Sequence, residues 1–264
     1  LDEMAQGLGE DPLAFRMKNR IEQTSISYLG YPVAESLGYR EVLEAIRPHY
    51  RALLEDAAAF NAQQEGAGSQ GLRKAVGFSG MWYRFGKSGS LRVEAHAELA
   101  RDGRIIVYCS APDYGQGTNT AMAQLAAETL GVQRDRVKVV NADTARTPDS
   151  GIQGASRATY FVGGAVCRAV AVLRREMVGM AAEMLDCPPS DLSLMEDRLV
   201  CGGESGGDGR AVTLEEVAEE FDRIGKLRRV PGVFDLSPLF SEETKPEYIP
   251  LFVTGAHAAE VAVN

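Results

Sequence analysis

The chain has 264 residues, a formal net charge of −9 and 45% hydrophobic content. That composition suits a globular body with a real core in one or two domains, and the acidic balance argues against nucleic-acid binding as the main task. No apolar run approaches the roughly 20 residues needed to span a bilayer, and no basic stretch leads into an apolar one as in a signal peptide.

The expectation is a cytoplasmic protein. Four cysteines, at 109, 167, 187 and 201, form no CxxC pair; with Cys109 and Cys167 inside apolar runs, they read as buried free thiols of a reducing compartment. The three histidines, His49, His96 and His257, are scattered singly, which is not a zinc-binding pattern.

In chain order, Asp2–Gly9 is helical, with Met4, Ala5 and Leu8 on one face. Asp11-Pro12 opens a second short helix, Asp as N-cap and Pro at the first helical position. The stretch 21–36 is irregular. Gly38–Leu54 is amphipathic, with Val42, Leu43, Ile46 and Tyr50 on one side, and Pro48 predicts a kink or break at Arg47. The run 56–71, rich in Ala, Gln and Gly, reads as a mobile linker. Lys74–Phe85 reads as a strand, with Trp82 and Tyr83 on opposite faces and Trp82 filling a core or interface.

Leu91–Leu99 alternates Val93, Ala95, Ala97 and Leu99 against Arg92, Glu94, His96 and Glu98, as a half-buried strand does. His96, Glu94 and Glu98 are expected to be solvated. Asp102-Gly103 turns the chain into a return strand from Arg104. Ile105–Ser110 is β-branched and apolar. A loop, 113–117, then opens a helix over 118–130, with Gly131 positioned to end it. Val137–Val140 is the next strand. Asp149–Arg157 is a second Gly/Ser loop, opening a long helix over 158–185 in which Gly163 and Gly164 permit close approach of another backbone. Leu192–Leu194 and Arg198–Val200 form a hairpin around Glu196-Asp197. Gly202–Gly209 reads as a flexible loop. Thr213 caps a helix through Arg223, with Glu216 completing a capping box. The pattern is weak over 226–248, and Leu251–Val263 returns to strands.

The physical point lies in the duplicated strand-loop-helix. Each loop feeds a helix N-terminus, where unpaired N–H groups and the positive end of the helix dipole favour an anionic, polar ligand. Either loop alone is equally an ordinary strand-to-helix turn with Gly for positive φ and Ser or Thr as cap. The dinucleotide-binding fingerprint is not met, because Gly115-Gln116-Gly117 is followed by Thr118-Asn119-Thr120, and no Gly-Lys-Ser/Thr follows either loop.

Taken together, DGRIIVYCSAPDYGQGTNTAMAQLAAETLGV and RVKVVNADTARTPDSGIQGASRATYFVGGAV closely resemble the molybdenum hydroxylases, the xanthine dehydrogenase and aldehyde oxidase family. The features that match are the GQG loop after a strand, the Asp-Thr-x-x-Thr-Pro turn from Asp143 to Pro148, and the Gly-x-Ser-Arg-type loop. The opening LDEMAQGLGEDPLAFRMKN and the closing TGAHAAEVAVN are similar to the same large subunit. The resemblance is best over 91–173 and thin after 185.

The interleaving of period-2 and period-3.6 segments predicts an α+β fold, with mixed sheets packed against helices 118–130 and 158–185. The resemblance implies a molybdopterin cofactor, cytosine dinucleotide being one form, gripped by hydrogen bonds from protein loops rather than by protein ligands to the metal. The activity implied is hydroxylation of aldehydes or N-heterocycles with oxygen derived from water, on a small-molecule substrate. Tyr114, Gly115, Gln116 and Gly117 match the first pterin-contacting loop and Gly154, Ala155 and Ser156 the second, while Arg157 matches a position at the substrate pocket. Tyr114 departs from the apolar residue or His common before GQG.

The family's base carboxylate lies in a Gly-x-Gly-Glu segment that does not occur here, so no catalytic residue is assigned. The cysteine motifs of [2Fe–2S] clusters do not occur either. Iron–sulfur and FAD centres are therefore expected on other chains or domains, and the partners are the rest of the molybdopterin subunit and those subunits. Homo-oligomerisation is open. The start at Leu1 and the strand-like end fit a fragment, organised as a helical segment with linker, 1–72, and an α+β molybdopterin-binding portion, 73–264. An alternative is a structural or assembly module that shares the fold, its loops serving as turns.

Overall fold

The computed structural model describes residues 1–23, 25–28, 30, 32–33, 37–66, 71–85, 91–154, 156–202, 209–239 and 251–264. In chain order the elements are α1 (Asp2–Gly7), α2 (Pro12–Lys18), α3 (Tyr39–Gly66), β1 (Arg73–Phe85), β2 (Arg92–Leu99), β3 (Ile105–Cys109), α4 (Thr118–Leu130), β4 (Val137–Asn141), α5 (Gly163–Leu185), β5 (Leu192–Met195), β6 (Arg198–Cys201), β7 (Ala211–Thr213), α6 (Leu214–Arg223), β8 (Arg229–Asp235) and β9 (Leu251–Val263). The class is α+β, as expected. The chain forms two compact units, residues 1–86 with 246–264, and residues 87–245. This differs from the expected division at 72/73, because β1 packs on α3 and pairs along its length with β9.

In the first unit, Asp11 caps α2 by accepting from the Ala14 N–H at 2.7 Å. The helix α3 runs unbroken through Pro48 to Gly66. Two expectations are corrected there: the break at Arg47, and the linker as far as 56–66, which is helical. Pro48 forfeits one backbone hydrogen bond, but the Ala-rich run after it has high helix propensity and is tied to the sheet. Asn61 clips the β1 backbone, accepting from Lys74 N–H at 2.8 Å and donating to its carbonyl at 2.7 Å. Residues 67–70 lie outside the described residues. The core gathers Leu13, Leu43, Tyr50, Phe78 and Phe252. Trp82 packs against it, 5.3 Å from the Phe252 ring, in the filling role expected of it.

The second unit is built on a four-stranded sheet in the order β4-β3-β2-β8, with β3 and β4 parallel and the other pairs antiparallel. The parallel pair is joined through α4. Val93, Ala95, Ala97 and Leu99 of β2 and Ile105 and Val107 of β3 are buried. Helix α5 packs on β2 and β8, and α4 packs on α5 and β4. Each large apolar side chain buried here is worth about 1.5–3 kcal/mol. A π-helical turn, Ala158–Val162, precedes α5. Gly163 and Gly164 face the side chains of Leu125 and Phe234; the close backbone approach is instead at Gly232 of β8, where a Cβ would overlap the Ala169 backbone of α5.

Strand β8 is not legible in the weak pattern over 226–248. Pro231 and Gly232 are poor strand formers, and β8 is an edge strand, where a missing N–H is tolerated. The expected solvation of His96, Glu94 and Glu98 is also corrected. Arg229 of β8 donates through Nε and Nη2 to His96 Nδ1 at 3.0 and 2.7 Å, so His96 carries its proton on Nε2, 2.9 Å from Glu94 Oε1. Glu98 accepts from the Tyr108 hydroxyl at 2.7 Å. The 192–200 hairpin forms as β5–β6 and gains β7 as a third strand, and the Thr213–Glu216 capping box is present. Residues 203–208 of the expected flexible loop lie outside the described residues. Cys109 and Cys201 are buried, whereas Cys167 and Cys187 are half-buried.

Candidate functional site

The first loop leaves the end of β3 and is held from two sides. Asn141, the last residue of the neighbouring β4, accepts from the Ala111 N–H at 2.8 Å and donates to the Ala111 carbonyl at 2.6 Å; the same Nδ2 donates to Asn119 Oδ1 at 2.8 Å. Asp113 then folds the loop around itself. Its carboxylate accepts from the N–H groups of Gly115 at 3.0 Å, Gly117 at 3.2 Å and Asn119 at 2.9 Å. The Asn119 hydrogen bond, then that of Gly115, holds the Asp113 carboxyl below the usual carboxylate range. Gly115 and Gly117 have φ of 115° and 84°, conformations that L side chains rarely adopt.

The open N-terminus of α4 expected from the sequence is therefore already neutralised by an acid of its own loop. The Gln116 side chain also turns inward: Oε1 accepts from Tyr114 N–H at 2.8 Å, and Nε2 donates to the Pro112 carbonyl at 2.9 Å and Thr118 Oγ1 at 2.8 Å. The sequence motifs do not point to Asp113, Asn141 or Thr118. The Asp-x-Gly spacing at 113–115 is a signal that marks the first of these, since Asp readily bonds to the backbone N–H two residues on.

The second loop is positioned by the Asp143–Pro148 turn. The Thr147 hydroxyl donates to Asp143 carbonyl oxygen at 2.8 Å and lies 2.8 Å from Ser110 Oγ, which ties this turn to the start of the first loop. Ser150 is 2% exposed, and its Oγ has no hydrogen-bond partner among the described residues. Ser156 adopts a left-handed φ of 62°, and Arg157 N–H bonds the Gly154 carbonyl at 3.2 Å. The Arg157 side chain is 1% exposed, with its guanidinium 4.3 Å from the centroid of the Phe161 ring. Burial pushes its pKa down from the ordinary arginine value.

These two loops, about 40 residues apart in sequence, line one cavity of about 310 Å³. Its walls include Tyr114, Gln116, Gly117 and Thr118 from the first loop and Gln153, Gly154, Ser156 and Arg157 from the second. Gly115 belongs to the first loop but not to this lining, and Ala155 lies outside the described residues. A Cβ built on Gly115, Gly117 or Gly154 meets nothing within 4 Å, so a ligand could come against the backbone there. The buried Gln153 Oε1 has no partner among the described residues, and Arg157 supplies charge. This donor and acceptor set fits a flat, polar, hydrogen-bonding cofactor such as a pterin. Among the described residues no group of three or more His, Cys, Asp or Glu could hold a metal ion, and no helix is long and apolar enough to cross a membrane.

A mixed sheet carrying two glycine loops that close on one polar cavity defines a cofactor-binding domain. The family model described as the molybdopterin cofactor-binding domain matches residues 46–264, and the chain belongs to that family. The resemblance to the molybdenum hydroxylases is borne out. The chain is 34% identical over 169 residues to the aldehyde oxidoreductase of Megalodesulfovibrio gigas, covering 63% of this chain and 18% of that protein. It is 31% identical over 204 residues to the xanthine dehydrogenase molybdenum-binding subunit of Escherichia coli O157:H7, covering 76% of this chain and 26% of that one. Among solved structures, the Desulfovibrio gigas aldehyde oxidoreductase superposes with a TM-score of 0.72 at 25% identity, over 99% of this chain and 25% of the other. A copper- and molybdenum-containing CO dehydrogenase, at 21% identity and a TM-score of 0.71 over 98% of this chain and 33% of that one, shares the fold. The chain thus spans about a fifth to a quarter of the length of these curated relatives.

Proposed function

We propose that this chain forms one wall of a molybdopterin site and that the intact protein is a molybdenum hydroxylase acting on aldehydes or N-heterocycles with oxygen taken from water. One observation carries this reading: the two loops matching the family's cofactor loops line a single cavity. When bound, the cofactor supplies two-electron redox chemistry at molybdenum. This chain's residues bind and orient. Tyr114, Gly115, Gln116 and Gly117 present a preorganised edge, rigid because Asp113 and Gln116 satisfy its donors internally. Gly154 and Ser156 form the opposing edge. Arg157 orients a carbonyl or carboxylate of the substrate. The base carboxylate, the iron–sulfur and flavin centres and the subunits that carry them come from outside these residues.

The test is loading of the intact protein. Gly154→Val places a branched side chain on the cavity side of the second loop, at a residue whose φ is not left-handed and where a Cβ meets nothing within 4 Å. It is expected to lower molybdenum and pterin content several-fold while circular dichroism stays native. The isolated 264-residue chain is expected to hold no molybdenum and to turn over neither an aldehyde nor a hypoxanthine-like heterocycle. A second reading, a structural module whose loops are turns, is favoured by the internal satisfaction of Asp113 and Gln116. Unchanged metal and pterin content in Gly154→Val would establish that reading and sink the first.

A further inference from the structure

In the first unit, a second cavity of about 310 Å³ opens between α2 and α3. It is lined by Lys18, Arg20, Arg47 and Arg51, with Asp11 the one acid among the described residues of its wall, in a chain whose net charge is −9. Two of the four cations are spent. Lys18 pairs with Glu10 at 2.9 Å, and Arg20 pairs with Glu22 while bonding the Met17 carbonyl. Asp11 is spent too, on the Ala14 N–H at the start of α2.

Arg47 and Arg51 are different. They stand four residues apart, one above the other on the same face of α3, where like charges repel. Among the described residues neither has an ion-pair or hydrogen-bond partner, and the Nε of Arg47 is buried without one. A buried, unmatched guanidinium donor is costly. A fold that leaves one such donor on Arg47 and a second, exposed guanidinium on Arg51 unpaired on the same cavity wall, while pairing the cations beside them, is shaped for an anion from outside. Behind the charges the wall is apolar: Leu13 and Tyr50 are 3% and 5% exposed, and Met17 joins them.

We infer that this cavity binds a phosphate-type oxyanion, as inorganic phosphate or as a small phosphate monoester, with Arg47 and Arg51 gripping its oxygens. The fork geometry of guanidinium matches a group with several acceptor oxygens. The volume lies at the lower end for small-ligand sites; it admits a phosphate bearing a few carbon atoms, which the Leu13–Met17–Tyr50 wall receives. The site is separate from the loops of the second unit and does not depend on their function.

The experiment is isothermal titration of the purified intact protein with inorganic phosphate and with glycerol phosphate, at fixed ionic strength in a phosphate-free buffer. The expected result is saturable binding of one equivalent. Arg47→Gln is expected to weaken it about 10- to 100-fold, the usual loss for a hydrogen bond to a charged group. Arg51→Gln, at an exposed position, is expected to weaken it without disturbing the fold. The exposed Arg174→Gln is expected to bind as the parent does. Tighter binding of glycerol phosphate than of phosphate assigns the site to a monoester, and equal binding assigns it to the free anion. Absence of binding, binding reproduced by chloride, or equal affinity in Arg51→Gln and the parent would overturn the inference. So would a carboxylate from elsewhere in the intact protein seated on Arg47.

Discussion

Asn141 pairs with Ala111 as a strand backbone would: its side-chain amide accepts from the Ala111 N–H at 2.8 Å and returns a hydrogen bond to the Ala111 carbonyl at 2.6 Å. The parallel β3–β4 ladder is thereby extended past the last residue of β3, into the loop that lines the cavity. The same amide reaches Asn119 in the first turn of α4, so one side chain sets both ends of that loop. Asn141→Asp removes both donors and sets a carboxylate against the Ala111 carbonyl. It is expected to cost about 1–3 kcal/mol, read as a lower Tm, and to speed hydrogen exchange at the amides from Ala111 to Asn119. A full-stability variant with unchanged exchange would show that the clamp is idle.

Asp113 makes the same loop sensitive to acid. Its carboxyl is held below the ordinary value by N–H donors, so the stabilisation it brings is fully present above the unfolded-state pKa of about 3.9 and is lost as pH falls through the lower, folded-state value. At neutral pH the loop is fully capped. In an NMR titration, the Gly115 and Asn119 amide resonances are expected to move together, at a pH below that range. Asp113→Asn should abolish that step. Amides that titrate in the variant as in the parent would exclude Asp113 as their partner.

Under the proposed function, Gln116 and Arg157 act at different points. Gln116→Ala loosens the first loop by removing three hydrogen bonds and is expected to reduce cofactor content or slow turnover on every substrate, by roughly 10- to 100-fold. Arg157→Ala is expected to leave molybdenum content near normal and to raise KM, most for substrates bearing a carbonyl or carboxylate. If Arg157 serves only the fold, with its guanidinium over Phe161, the variant will instead lower Tm and leave relative substrate preference unchanged. Metal content, Tm and kinetics on two unlike substrates separate these outcomes.

Gly232 is a packing requirement rather than a flexible point. Because a Cβ there would overlap the Ala169 backbone, Gly232→Ala forces α5 away from β8. Overpacking of this kind costs about 1–3 kcal/mol, expected as a lower urea midpoint with an unchanged slope. A midpoint equal to the parent's would mean that α5 shifts freely.

Much of the fold is legible in the amino-acid sequence itself. The caps at Asp11 and Thr213, the αL residue Gly131 that ends α4, the β2–β3 hairpin and the alternation of β2 each depend on residues within a few positions of one another. Local hydrogen bonding and side-chain periodicity act over those distances, and so they are written in the sequence. The two cavity loops are legible as motifs and, through the family resemblance, as a pair.

What only the tertiary structure decided lies between residues far apart in the chain. Asn141 meets Ala111 across 30 positions and Arg229 meets His96 across 133, and no local pattern marks such partners. The strand β8 exists because β2 offers it a ladder, in spite of Pro231 and Gly232. Helix α3 passes through Pro48 because the sheet beside it holds Asn61. A contact made in space there outweighs a preference written locally, about 1 kcal/mol for a poor strand former and about 3 kcal/mol for a proline inside a helix, and such contacts are decided only when the chain has closed on itself.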